Sequence, residues 1–169
     1  MTNVGDSTLS SDDFYRIVVK NDKIAVDKKT LEKMDANFHF LEHFSDQKLI
    51  YGINTGFGPM AQYKVSAENV LQLQYNLIRS HASGSGKYLD PLLVRALMVA
   101  RLNSFVQAYS GVHPEIVDVL TALINNNITP CVFEHGGVGA SGDLVQLAHL
   151  ALVLIGEGEV IVDGKPQPT

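Results

Sequence analysis

The segment HGGVGASGDL, residues 135–144, contains four glycines and the tripeptide Ala140-Ser141-Gly142, and an apolar run with helical periodicity follows it. If the surrounding structure forces this loop into a tight bend, the amide nitrogen of Gly142 can attack the carbonyl carbon of Ala140, because neither residue hinders the approach. Loss of two waters, one from the attacked carbonyl carbon of Ala140 and one from the Ser141 side chain, then leaves a five-membered ring with an exocyclic methylidene. The segment therefore suggests a backbone-derived electrophile, a reactivity that no unmodified side chain provides.

The glycines of this segment also match the dinucleotide-binding pattern G-x-G-x-x-G, and Asp163 lies about twenty residues later, where a ribose-binding acid would stand. Against this, Asp143 would place a carboxylate in the first turn of the following helix, where a pyrophosphate needs amide N–H groups and positive potential. Asp143 also stands where the serine-hydrolase pattern G-x-S-x-G requires glycine, so that pattern fails. A dinucleotide-binding module is kept as an alternative to the electrophile.

His39, Glu42 and His43 form an H-x-x-E-H string, which on a helix can bring two histidines to one zinc ion. The string lies among aromatic and aliphatic residues, and nothing in the sequence singles out a third ligand. We therefore expect a polar helix edge here and no metal site.

The composition excludes two classes of partner. The chain has a net charge of −5 and scattered lysines and arginines, so it lacks the basic stripe that binds nucleic acid. No apolar run reaches the length of a membrane span, and the polar, acidic first residues do not form a signal peptide. We expect a cytoplasmic protein that binds neither membrane nor nucleic acid. Cys131, the single cysteine, is expected to be a buried structural residue.

Helical periodicity predicts the elements that must position these residues, and it favours a mainly α fold. The first predicted helix follows Asp27, and one face of it carries Leu31, Met34, Phe38, Leu41 and Phe44. The second follows Ser66 and is expected to direct inward Val70, Leu71, Leu73, Leu77 and Ile78. Three more helices are predicted from Asp90-Pro91 to Gly111, from Pro114 to the asparagines 125–127, and from Gly142 to Gly156.

Two stretches are predicted to be non-helical. KLIYGINTGFGPMAQY, with three glycines, indicates a loop, and EVIVDGKPQPT contains the hairpin turn signal Asp163-Gly164. The returning strand of that hairpin has almost no room before Thr169, so we expect an unfinished hairpin. Residues 1–169 are accordingly predicted to be a single incomplete domain, a portion of a longer protein.

Three segments carry a resemblance to a known family. YGINTGFGPMA, SHASGSG and GGVGASGDLVQLAHLALVLIGEGE resemble the matching segments of the aromatic amino-acid ammonia-lyases, which act on histidine, phenylalanine or tyrosine. The resemblance implies the N-terminal portion of a helical-bundle enzyme that is a homotetramer with active sites shared between subunits. It also implies a methylidene-imidazolone group made autocatalytically from Ala-Ser-Gly, with no external cofactor. Gln146 departs from the proline of many members, and complete members are much longer.

The resemblance assigns roles to individual residues. Ala140, Ser141 and Gly142 would form the electrophile that the substrate's α-amino group attacks. Tyr51 matches the catalytic tyrosine, the base for the substrate's β-proton; because a free tyrosine titrates at about 10, this role requires surroundings that stabilise phenolate. Ser80 and His81 match the pair that contacts the substrate's side chain. His149, on the apolar helix after the tripeptide, is expected to be a hydrogen-bonded core residue.

The substrate is expected to be a small aromatic L-amino acid. Ser80-His81 is typical of the histidine branch, which favours L-histidine and the product urocanate. The same histidine can donate to a phenol, so a tyrosine ammonia-lyase giving coumarate is the second interpretation, and an aminomutase of the same family is a third. An inactive helical fragment or interaction module also stays open, and the 169 residues alone are expected to be inactive.

Overall fold

The computed structural model describes residues 1–5, 8–46, 48–139 and 144–169. The predicted electrophile, Ala140, Ser141 and Gly142, lies outside the described residues, as does Asp143. The described helices are α1 Ser11–Val19, α2 Lys28–Ser45, α3 Ala67–His81, α4 Pro91–Phe105, α5 Glu115–Asn125 and α6 Leu144–Leu154, with a short 3-10 helix at Gly58–Met60. The mainly α prediction is confirmed.

Short strands join these helices in three small sheets. The strands are β1 Thr2–Val4, β2 Ile24–Val26, β3 Ser85–Tyr88, β4 Thr129–Pro130, β5 Phe133–His135, β6 Glu159–Val162 and β7 Lys165–Pro168. β1 and β2 pair in parallel, β3 and β5 pair antiparallel, and the third sheet has the antiparallel order β4-β6-β7.

The hydrophobic core forms around α4, which packs against both α1 and α5. Its buried side chains include Met98, Val99 and Leu102 of α4, and they meet Ile17 of α1 and Leu120 of α5. α3 has no fully buried side chain among its described residues, and it packs chiefly against α6. α6 contributes Leu150 to the core, α3 packs on α6, and α3 carries Ser80 and His81 of the predicted site.

The predicted helix starts at Asp27 and Asp90 are confirmed. The Asp27 carboxylate accepts from the Thr30 N–H at 2.9 Å, and the Asp90 carboxylate accepts from the Leu92 N–H at 2.8 Å. Ser66 also precedes its helix as predicted, but its side chain caps no backbone amide and accepts instead from Asn69 Nδ2 at 2.9 Å.

Three predictions about these elements are wrong. α4 ends at Phe105, well before Gly111, because the chain turns at Ala108, whose φ is +57°. Leu71, predicted to point inward, is 66% exposed. The C-terminal hairpin is complete: β6 and β7 pair over four residues from Val162↔Lys165 to Glu159↔Pro168. The positive φ angles of Asp163 and Gly164, +50° and +76°, allow a turn tight enough to leave room for the returning strand.

Within the described part of the chain, no helix combines the length and the apolar character that crossing a bilayer demands.

Candidate active site

The loop that carries Tyr51 is organised by one buried amide side chain. Asn54, 7% exposed, donates from Nδ2 to the carbonyl oxygens of Ser45 and Lys48 at 2.8 and 2.7 Å, and its Oδ1 accepts from the Ile50 N–H at 2.8 Å. One of these bonds reaches the carbonyl oxygen of Ser45 at the end of α2, and the other two reach backbone groups of the loop that follows it. Asn54 thus fixes the path of the chain on both sides of Tyr51.

Tyr51 itself is accessible, with 64% of its surface exposed. Its hydroxyl oxygen accepts from the Gly58 N–H at 3.4 Å, and its ring meets Phe57 edge-on with centroids 5.9 Å apart. Gln74 of α3 donates to the carbonyl oxygen of Gly52 at 3.1 Å. This last bond ties the tyrosine loop to the same helix that carries Ser80 and His81.

Ser80 and His81 occupy the last turn of α3. Ser80 Oγ donates to the Leu77 carbonyl oxygen at 3.0 Å and lies 3.2 Å from His81 Nδ1. His81 Nδ1 lies 2.9 Å from that same carbonyl oxygen, which can only accept, so Nδ1 carries the proton. In the neutral ring Nε2 is then an acceptor, and it has no hydrogen-bond partner among the described residues.

The ends of the glycine-rich loop are held together by contacts that only glycine permits. A Cβ built on Gly136 would lie 2.5 Å from Val145 Cγ1 in the first turn of α6 and 3.4 Å from Gly84 Cα. Gly136 also has a φ of +145°, a backbone conformation that L side chains rarely adopt. The chain entering the loop therefore touches the helix that follows it, and both touch the segment after His81.

His149 of α6 reaches the same place. Its Nε2 accepts from the Gly84 N–H at 3.0 Å, and its ring centroid is 5.1 Å from that of Phe133. Burial lowers the pKa of His149, so the ring is held neutral. Only 8% of the residue is exposed, which confirms the expected hydrogen-bonded core histidine.

The structure thus gathers some of the predicted site residues and leaves others apart. β3 begins just after Gly84 and pairs with β5, with Ser85 opposite His135, and β5 leads directly into the glycine-rich loop. Ser80, His81 and both described ends of the loop are therefore neighbours in the fold. Among the described residues, Tyr51 makes no hydrogen bond or ring contact with Ser80 or His81.

Sequence reasoning missed the close approach of Gly84, Gly136 and His149. Gly136 was interpreted only as one of the glycines that serve the backbone of the loop, and Gly84 entered only through the segment SHASGSG, which resembles the family. A glycine beside each of two motifs is a signal of close backbone approach, yet the approaching partner is far away along the chain.

The other candidate sites are occupied by structural contacts. His39 Nδ1 lies 2.9 Å from Glu42 Oε2, and His43 Nδ1 lies 2.7 Å from the carbonyl oxygen of His39. In the described ranges, no three metal-ligating side chains are placed to share an ion. Cys131 is buried as predicted, and burial, followed by the nearby charge of Glu159, raises the pKa of its thiol.

The dinucleotide alternative does not fit the topology. Asp163 lies in the turn between β6 and β7, and β6 pairs antiparallel with both of its neighbours. A Rossmann unit needs a parallel strand after the crossover helix, and the strand after α6 is antiparallel instead.

Comparison with known proteins identifies the family. The model of the aromatic amino acid lyases matches residues 9–169. A probable histidine ammonia-lyase from Thermoplasma volcanium is 42% identical over 167 residues, which are 98% of this chain and 34% of that protein. The structure of tyrosine aminomutase from Streptomyces globisporus superposes with a TM-score of 0.90 at 34% identity, over 99% of this chain and 31% of the other.

Histidine ammonia-lyase from Trypanosoma cruzi is also similar, with a TM-score of 0.84 and 29% identity over 99% of this chain and 32% of that enzyme. The chain thus spans about a third of the length of the relatives it matches. It has the fold of the N-terminal part of these helical enzymes. Because the family model matches almost all of its residues, this chain belongs to the aromatic amino acid lyase family.

Proposed function

We propose that residues 1–169 form the N-terminal portion of an ammonia-lyase that eliminates ammonia from L-histidine without oxidation, giving urocanate. By complete enzyme we mean a protein that contains this chain together with the other two thirds of the length of its relatives. The observation that carries the proposal is the clamp at the tripeptide loop, where Gly136, Val145 and Gly84 meet. The 169 residues alone are proposed to be inactive.

The close approach of the two described ends of the loop supports cyclisation of the tripeptide between them. A Cβ built on Gly136 would lie 2.5 Å from Val145 Cγ1, so the chain before the loop and the helix after it are in contact. We propose that, with its ends held together, the loop lets the Gly142 nitrogen attack the Ala140 carbonyl carbon, and that two waters are lost in forming the methylidene-imidazolone. No external cofactor and no metal is then required.

That group, once formed, supplies an electrophile for the substrate's α-amino group and makes ammonia a good leaving group. Tyr51 is proposed as the base that removes the β-proton. Its hydroxyl is exposed, as a base that meets a substrate must be. The hydrogen bonds of Asn54 to Ser45, Lys48 and Ile50 hold the loop that presents it.

His81 is proposed to bind the side chain of the substrate. Its Nδ1–H is directed at the Leu77 carbonyl oxygen, which leaves Nε2 as an acceptor. An acceptor at this position favours a substrate whose ring carries a donor, such as the imidazole N–H of histidine or the hydroxyl of tyrosine. Phenylalanine has no such donor, and an acceptor left unpaired beside the bound substrate disfavours it.

The tyrosine-specific alternative is supported by the similarity to tyrosine aminomutase. A tyrosine ammonia-lyase would release coumarate, whereas an aminomutase would return the amino group to the neighbouring carbon. The histidine activity is favoured because the probable histidine ammonia-lyase from Thermoplasma volcanium is 42% identical to this chain.

The complete enzyme is proposed to be a cytoplasmic homotetramer, as the family resemblance implies. The described helices leave large apolar side chains exposed on α2, α3 and α4, where Phe40, Leu71 and Leu93 are 61%, 66% and 56% exposed, and the remaining chain or further subunits would cover them.

The test is steady-state kinetics of the complete enzyme with histidine, tyrosine and phenylalanine, measuring both free ammonia and the amino-acid product. We expect the highest kcat/KM for histidine with one ammonia released per turnover. Replacement of His81 by glutamine retains an acceptor and is expected to keep part of this preference, whereas leucine removes it. A preference for phenylalanine, or a β-amino acid formed without ammonia, would overturn the assignment.

A further inference from the structure

His149 links three separate segments that surround the tripeptide loop. It stands on α6, its Nε2 accepts the Gly84 N–H at 3.0 Å, and its ring packs on Phe133 of β5. A Cβ on Gly84 would lie 2.8 Å from His149 Nε2 and 2.9 Å from Phe133 Cβ, so the three segments are in direct contact. This buried histidine does more than fill space, because the hydrogen bond that it accepts from Gly84 joins α6 to the chain that leaves α3.

The segment between His81 and Gly84 is itself tightly held. The Ala82 N–H donates to the Ile78 carbonyl oxygen at 3.0 Å, and the Ser83 N–H donates to that of His81 at 2.8 Å. A displacement of Gly84 is therefore transmitted to the last turn of α3. A salt bridge from Arg79 Nε to Glu157 Oε2, at 3.0 Å, ties the outer side of that turn to the residues after α6. On the inner side of that turn, the corresponding link is the hydrogen bond from the Gly84 N–H to His149 Nε2.

We propose that His149 is a positioning residue, whose bond to Gly84 sets the placement of Ser80-His81 relative to β5 and the start of α6. The inference rests on the proposed function, because it assigns His149 to the binding of the same substrate. Among the described residues, His149 contacts Gly84 and Phe133 and makes no hydrogen bond or ring contact with Ser80 or His81. Its action passes through Gly84 to His81 on one side and through α6 to the end of the loop on the other.

The Gly84 N–H requires a hydrogen-bond acceptor at one particular distance along the side chain of residue 149. A backbone N–H can only donate, so the group facing it must be an unprotonated nitrogen or a carbonyl oxygen. Glutamine offers an amide oxygen at nearly the distance of Nε2, whereas the amide of asparagine is one carbon shorter. Leucine fills much of the volume and offers no acceptor. These three substitutions separate the hydrogen bond from the filling of the cavity.

The experiment compares His149→Gln, His149→Asn and His149→Leu in the complete enzyme by intact mass, KM and kcat for histidine. We expect all three to keep the loss of two waters. KM should rise about tenfold in the leucine and asparagine variants, as expected for one hydrogen bond of about 1.4 kcal/mol, with kcat changed less than about threefold. Glutamine should return KM to within about threefold of the parent value.

Three results would overturn the inference. An unchanged KM with a lowered unfolding temperature in all variants would mean that His149 serves stability alone. Loss of the two-water deficit in the variants, with the parent intact, would mean that it acts on cyclisation instead. If the leucine variant does not fold, equal KM values for the asparagine and glutamine variants would likewise overturn the inference. Failure of the proposed function would be recognised separately, because the parent enzyme itself would then show no loss of two waters.

Discussion

Replacing Gly84 by alanine tests the close packing on which the site depends. The added Cβ would lie 2.8 Å from His149 Nε2, 2.9 Å from Phe133 Cβ and 3.2 Å from the His135 carbonyl oxygen. Favourable contacts between carbon atoms lie at about 3.5–4.0 Å, so the strand and the histidine must both move. Overpacking of this kind costs about 1–3 kcal/mol, and weakening the bond from Gly84 to His149 adds about 1 kcal/mol. The expected loss of unfolding free energy is therefore about 2–4 kcal/mol.

The assay is urea denaturation of the 169-residue chain, followed by circular dichroism. Gly139→Ala is the matched control, because a Cβ there meets no atom of the described residues within 4 Å, and we expect a change below about 0.5 kcal/mol. Equal stability of the Gly84 and Gly139 variants would refute the packing of β3, β5 and α6 described above.

Three further predictions address the loop, the histidine and the base. Asn54→Ala removes three hydrogen bonds and should lower the unfolding free energy by about 3 kcal/mol in the same assay, whereas the exposed Asn76→Ala should change it little. Because burial places the pKa of folded His149 below its ordinary value of 6.5, the unfolded chain binds the extra proton first as the pH falls. Stability should therefore be full above pH 6.5 and decline below it, and His149→Gln should remove that part of the decline. Tyr51→Phe should keep the two-water deficit of the complete enzyme and abolish ammonia release; an active variant would exclude Tyr51 as the base.

Local chemistry explains which elements the sequence could predict. Asp27 and Asp90 start helices because their carboxylates cap amides a few residues away, and Asp163-Gly164 turns a hairpin through its own backbone angles. α1 was missed because it is short, although Ser10 and Asp13 form a capping box at its start and Phe14, Ile17 and Val18 recur at helical spacing. Leu71 was misplaced because helical periodicity marks an apolar face without saying what covers it.

Continuous motifs let the sequence propose site residues, whereas contacts between distant segments leave no mark in it. The tripeptide, Tyr51 and the Ser80-His81 pair are assigned by the resemblance of such motifs to the family, and these assignments stay predictions. The bond from His149 to Gly84 joins residues far apart along the chain, and neither residue carries a local mark of the other. Such contacts follow from the packing of α6 against α3, which a single sequence does not encode in any one window.

The intact mass of the complete enzyme reports directly whether the tripeptide has cyclised. We predict a mass two waters below that of the encoded chain, with the deficit in the peptide that contains Ala140, Ser141 and Gly142. Ser141→Ala cannot form the methylidene, so it should lose at most one water and nearly all activity, while its fold survives a change worth about 1 kcal/mol. A fully active enzyme with the unmodified mass would contradict the account.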